Sequence, residues 1–105
     1  MNLAMPSPAM PSTFATVPTS HASRYLQQLC KHWAHKLEVS FNAERGVVNF
    51  PGGTVATLEA GPEGLAVRIE APEAETLEEM KGVLARHLDR FAFREAPLPF
   101  DWQPA

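Results

Sequence analysis

The fold is determined by residues 37–71, LEVSFNAERGVVNFPGGTVATLEAGPEGLAVRIEA. Apolar and polar residues alternate in four short segments of this stretch, 37–42, 46–50, 54–60 and 65–71. Such a period of two is expected of strands that bury one face. The connections are short and rich in turn formers, most clearly Pro-Gly-Gly at 51–53 and Gly-Pro-Glu-Gly at 61–64. Connections of this kind join neighbouring strands as hairpins, so the stretch predicts a four-stranded antiparallel meander.

Helical patterns lie on both sides of the predicted strands. At about 100° per residue, segment 20–37 forms an apolar stripe that contains Ala22, Leu26, Leu29, Cys30, Trp33 and Leu37. The stripe of the second helix contains Leu77, Met80, Leu84, Leu88 and Phe91. Thr19 or Ser20 is the predicted cap of the first helix, and Thr76 with Glu79 is a predicted capping box for the second. We therefore expect an α+β fold in the order helix, four-stranded antiparallel meander sheet, helix, with both helices packed on one face of the sheet.

Composition and charge limit the domain organisation and the class of partner. The chain has 105 residues and a formal net charge of -3. We expect residues 1–19, which are uncharged and rich in Pro, Ala, Ser, Thr and Met, to be a disordered leader. Residues 20–105 are then a single α+β domain. The acidic balance predicts no nucleic-acid partner and no membrane partner, and the single cysteine, together with the lack of a signal peptide, predicts a cytoplasmic location.

Three histidines form the first candidate site. His32 and His35 are about 60° apart on the first helix, and His87 lies at the edge of the second helix, where it could meet His32. Together they are candidate metal ligands. Cys30 is about 200° from His32 and cannot share that ion, so it is interpreted as a small apolar residue of the core. The favoured interpretation makes His32 and His87 interfacial histidines that hydrogen-bond to neighbours, with no metal or other cofactor bound.

Basic residues form the second candidate site. Arg86, Arg90 and Arg94 follow one another at four-residue intervals, while Arg24 and Lys31 lie with His35 on the exposed side of the first helix. Guanidinium groups in such a row could hold a carboxylate-rich or phosphorylated small molecule. The alternative, which is favoured, is a solvated face that complements the carboxyl end of the second helix. On that interpretation Asp89 pairs with Arg86.

Two long motifs carry a family resemblance. Residues 23–36 (SRYLQQLCKHWAHK), 46–50 and 87–95 (HLDRFAFRE), together with Trp102, resemble the bacterial family called domain of unknown function 2218. The resemblance covers residues 20–102. It implies a small bacterial protein with no established activity, substrate or catalytic residues. Some members occur beside siderophore-interacting or iron-uptake proteins, which implies an iron or siderophore context.

These observations leave three functional hypotheses in order. The first is a non-enzymatic domain that binds a partner protein or a small anionic ligand through His32, His35, His87, Arg86, Arg90 and Arg94. The second is a metal- or haem-binding accessory protein in which the histidines are ligands. The third is an uncharacterised enzyme, although no catalytic constellation is evident. A pocket lined by His32, His87 and Arg90 would favour ligand binding, and a flat surface there would favour a protein partner or a purely structural role.

Overall fold

The structure, a computed structural model, describes residues 11–104 of the chain. In chain order its elements are β1 (Ser12–Pro18), α1 (Ala22–Trp33), β2 (Glu38–Phe41), β3 (Arg45–Asn49), β4 (Val55–Ala60), β5 (Gly64–Glu70), α2 (Ala74–Phe91) and β6 (Gln103–Pro104). The strands form one antiparallel sheet in the order β2-β3-β4-β5-β1-β6. The α+β class is confirmed.

The predicted meander is present as β2 to β5, which pair in sequence order. Each of these strands begins and ends within one residue of its predicted bounds. In the turn between β3 and β4, Gly52 and Gly53 have φ angles of 88° and 94°. Only glycine adopts these angles without strain, so the Gly-Gly pair allows the chain to reverse here.

The sheet is wider than predicted, because the predicted disordered leader 1–19 is wrong for Ser12–Pro18. This segment is β1, which pairs with β5 over seven residues, from Ser12 opposite Glu70 to Pro18 opposite Gly64. Its inward residues are small, and its largest apolar side chain, Phe14, points outward and is 41 % exposed. Because the bulky apolar residue faces solvent and the buried residues are small, the sequence of this segment does not show the apolar–polar alternation expected of a strand. Residues 1–10 of the predicted leader lie outside the described residues.

A second unpredicted strand comes from the end of the chain. β6 pairs with β1 on the side away from β5, and the hydroxyl of Thr13 donates a hydrogen bond of 2.7 Å to the carbonyl of Gln103. Before β6, the rings of Phe100 and Trp102 are stacked with centroids 5.3 Å apart. Both rings also pack against the hydrophobic core, so the proline-rich tail is held to the domain by these rings and by the short strand.

The predicted helix starts need correction. α2 begins at Ala74, before Thr76, with Glu73 as its cap and no side-chain capping bond, so there is no capping box at Thr76. α1 is capped by His21, also without a side-chain bond from the cap residue. The hydroxyl of Thr19 instead accepts a hydrogen bond of 3.1 Å from the backbone N–H of His21. Pro72 favours an extended backbone at the preceding residue, Ala71, and α2 starts at Ala74, soon after this restricted position.

The two helices contribute to one hydrophobic core. α1 packs against β2, β3, β4 and β5, and α2 contacts α1 and β5. Cys30 is fully buried, and a Cβ atom at Gly46 would lie only 2.6 Å from its Sγ, so α1 approaches β3 closely at this point. Burial raises the pKa of the Cys30 thiol to about 11, which agrees with its interpretation as a core residue. Neither helix of the described residues combines the length and apolar character that crossing a membrane requires.

Candidate functional site

The contact between α1 and α2 brings two of the three predicted histidines together. The rings of His32 and His87 have centroids 5.8 Å apart. His87 also packs on Trp33 at 4.9 Å, and His32 meets Phe91 edge-on at 5.8 Å. Nδ1 of His87 is 2.8 Å from the carbonyl oxygen of Val83. A carbonyl can only accept, so Nδ1 carries a proton and Nε2 is available as an acceptor in the neutral ring.

His35 does not join this pair. It lies in the exposed turn after α1, which ends at Trp33. Within residues 11–104, no group of three or more His, Cys, Asp and Glu side chains is placed to hold a metal ion. The structure therefore brings together only two of the three candidate imidazole ligands, those of His32 and His87.

The arginine row is interrupted by the end of α2. Arg86 and Arg90 are exposed on the helix, but Arg94 lies in the turn beyond Phe91, the last helical residue. The expected pairing of Asp89 with Arg86 is wrong, since Oδ1 of Asp89 accepts a 2.9 Å hydrogen bond from the backbone N–H of Leu98. In the described part of the chain the ion pairs are Arg45–Glu59, Arg68–Glu70 and Lys81–Glu78.

Arg94 instead lines a cleft of about 370 Å³ between α1 and the turn that follows α2. One wall consists of His21, Arg24, Tyr25 and Gln28. The other consists of Phe91, Phe93, Arg94 and Glu95. We call this site the α1–α2 cleft. None of His32, His87 and Arg90 lines it, although Phe91 contacts His32 on one side and the cleft on the other.

The carboxylate in the α1–α2 cleft is held by two hydroxyl groups. Tyr25, whose side chain is buried, donates its O–H to Oε2 of Glu95, and the hydroxyl of Thr19 donates to the same oxygen at 3.0 Å. The hydrogen bond from Tyr25 is the main cause that lowers the pKa of Glu95, and it also raises the pKa of Tyr25. Glu95 is therefore ionised at neutral pH and already has its donors. Arg24 and Arg94 belong to none of the ion pairs found among residues 11–104.

Two clefts on the face of the sheet that points away from α1 are less suited to an anion. The larger one, about 530 Å³, is lined by Glu44, Glu59 and Glu63, and its single guanidinium group, Arg45, pairs with Glu59 at 3.3 Å. A smaller one of about 320 Å³ contains the pairs Arg45–Glu59 and Arg68–Glu70. Their cations are engaged by carboxylates, in contrast to Arg24 and Arg94.

Sequence reasoning identified Arg94 but missed the partnership of Tyr25 and Glu95. These two residues are 70 positions apart in the chain, and neither has a neighbour in sequence that would indicate the other. The one available signal is that both lie within the stretches that carry the family resemblance, 23–36 and 87–95.

Comparison with known proteins places the chain in a family. A family model described as "Uncharacterized protein conserved in bacteria (DUF2218)" matches residues 14–103. The chain belongs to the DUF2218 family. It is also similar to the NMR structure of PA4090 from Pseudomonas aeruginosa, with 38% sequence identity and a TM-score of 0.72 over 91% of this chain and 97% of that one. The DUF2218 match begins inside β1, which supports the assignment of that segment to the folded domain. No curated protein matches the chain.

Tyr25→Phe tests the hydroxyl–carboxylate contact through the pH dependence of stability. A carboxyl group whose pKa is lowered in the folded state stabilises the fold above its unfolded pKa, and this stabilisation is lost as the pH falls through the folded value. Wild type should therefore exceed Tyr25→Phe in stability at neutral pH, and the difference should shrink as the pH falls below the ordinary value of 4.5. Urea unfolding at a series of pH values measures this.

The control is the same substitution in a Glu95→Gln background. There the carboxylate is absent, and the effect of Tyr25→Phe should no longer depend on pH in the acid range. An equal difference between wild type and Tyr25→Phe at every acid pH would contradict the assignment.

Proposed function

We propose that the protein is a non-enzymatic binding domain that holds a small anionic ligand in the α1–α2 cleft. The observation that carries this proposal is the pair of guanidinium groups, Arg24 and Arg94, on opposite walls of one cleft, neither of which joins an ion pair within residues 11–104. Glu95, the carboxylate in the lining, is occupied by Tyr25 and Thr19. The N–H donors of the two guanidinium groups are then left to bind an incoming anion.

The shape and chemistry of the cleft favour a small molecule over a protein partner. A volume of about 370 Å³ lies in the range of small-ligand pockets, and a concave site favours a ligand that can enter it. Guanidinium groups present planar arrays of N–H donors that match carboxylate and phosphate geometry.

We further propose a cytoplasmic location, because the buried, free thiol of Cys30 suits a reducing compartment.

The proposal predicts that cyclohexanecarboxylate binds in the cleft with a Kd on the order of millimolar, as expected for a fragment of this size. Arg94→Gln and Arg24→Gln should each weaken binding about 10-fold, because each removes a charge-assisted hydrogen bond. An NMR titration of the ¹⁵N-labelled protein gives the Kd and the position of the site. Cyclohexanemethanol, which has the same ring without the charge, should not bind.

Arg86→Gln is the matched control, since Arg86 lies on α2 but does not line the cleft. It should leave the Kd unchanged. If Arg86→Gln weakens binding as much as Arg94→Gln does, the anion recognises the general positive charge of the helix and not the cleft, and the proposal is wrong.

A second candidate function, metal binding, is favoured by the distance between His32 and His87. Two imidazoles that share one ion at about 2.0–2.1 Å from each nitrogen have ring centroids roughly 5–6 Å apart, and the observed distance is 5.8 Å. The bond from His87 Nδ1 to Val83 also leaves Nε2 facing away as a possible ligand. Two protein ligands without a third, however, make a weak site.

We expect zinc to bind only weakly to this pair. Affinity should rise as the pH increases from about 5 to 7.5, since neutral imidazole is the ligand. Isothermal titration calorimetry of wild type and His87→Ala measures it. A stoichiometric site of micromolar affinity that His87→Ala abolishes would make metal binding the preferred function.

A further inference from the structure

Phe93 is unusually exposed for a side chain of its size and type. Its ring is 70 % exposed, and among residues 11–104 only Phe14 joins it as a large apolar side chain left open to solvent. Phe93 lies in the turn after α2 and forms part of the α1–α2 cleft. The guanidinium carbon of Arg94 lies 5.7 Å from the centroid of its ring. This is a cation–π contact in which the charge lies over one face of the ring, so the aromatic and cationic groups belong to the same surface.

The rest of the cleft has the same character. Among the described residues, the apolar members of its lining are all aromatic, Tyr25, Phe91 and Phe93, and none is aliphatic. Aromatic rings prefer offset-stacked or edge-to-face contact with other rings, and such pairs gain more than their buried area alone provides. Within the part of the chain that the structure describes, the cleft therefore combines aromatic side chains with two guanidinium groups that belong to no ion pair.

We propose that the ligand is an aromatic acid, whose ring stacks on Phe93 while its anionic group pairs with Arg94 and Arg24. This inference rests on the proposed function, because it names the class of anion that the same cleft selects. An aliphatic acid of equal size would satisfy the two arginines but would leave the ring of Phe93 without a π-face to contact. Phe93 is thus the residue that distinguishes the two classes of acid.

Benzoate and cyclohexanecarboxylate provide the test, because both are monocarboxylates with a six-membered ring and differ in aromaticity. We expect benzoate to bind wild type about 3- to 10-fold more tightly in an NMR titration. Phe93→Leu should reduce this preference to near unity, mainly by weakening benzoate. Phe14→Leu, which changes the other exposed phenylalanine on the opposite face of the sheet, should leave the preference unchanged.

The outcomes separate this inference from the proposed function. If both acids bind wild type equally and Arg94→Gln weakens both, the anion site stands and the aromatic preference is wrong. A benzoate preference that persists in Phe93→Leu also overturns the role of Phe93. If neither acid binds, or if the arginine variants bind as wild type does, the proposed function itself fails. The amide spectrum of Phe93→Leu, which should match that of wild type outside the cleft, shows that the variant is folded.

Discussion

Deletion of residues 1–18 should remove more than half of the stability of the domain. The deletion eliminates β1, whose residues Ala15 and Val17 are 1 % and 0 % exposed, and breaks the seven-residue pairing with β5. Burial of a valine side chain alone contributes about 1.5–3 kcal/mol, and domains of this size have about 5–15 kcal/mol in total. Loss of the strand also exposes the edge of β5 and the core behind it. Urea or thermal unfolding measures the change.

The matched control is deletion of residues 1–10, which keeps the whole of β1. The difference in stability between the two truncated chains measures the strand itself, and equal unfolding midpoints would show that β1 contributes nothing. A pair of substitutions gives an independent test within the full chain. Val17→Asp places a charge in the core and should be severely destabilising, whereas Thr16→Asp, on the exposed face, should have little effect.

Trp33→Ala should lower the free energy of unfolding by about 3–5 kcal/mol, because it removes a large buried side chain and leaves a cavity that the surrounding residues fill only in part. Trp33 is 6 % exposed at the end of α1. Its ring contacts Phe50 edge-on at 5.2 Å and His87 at 4.9 Å. The residue thus joins α1 to the residue that follows β3 and to α2.

His35→Ala is the control for this substitution. His35 is exposed only two positions further along the chain, so its effect should stay within about 0.5 kcal/mol. Urea titration of both variants compares them directly. A Trp33→Ala midpoint equal to that of wild type would mean that the packing around this ring is incorrect.

The meander and the two helix stripes could be predicted from the sequence because their information is local. In β4 and β5 the alternation of apolar and polar residues directly specifies which side chains face the core, and the glycine pair at 52 and 53 specifies the turn. The stripe residues Leu26 and Leu84 are fully buried for the same reason. The meeting of His32 with His87 was also expected, since both lie at the edges of these stripes.

β1 and the α1–α2 cleft were decided only by the tertiary structure. The buried residues of β1 are small, and its one bulky residue, Phe14, faces outward, so the segment has too little apolar periodicity to predict a strand. The segment becomes a strand because its backbone pairs with the edge of β5 and its small side chains fill the core behind that edge. Likewise, Arg94 enters the cleft only because α2 ends at Phe91. Tyr25 and Glu95 form a hydrogen bond because folding brings together residues that are 70 positions apart. Local sequence patterns do not predict a contact between such distant residues.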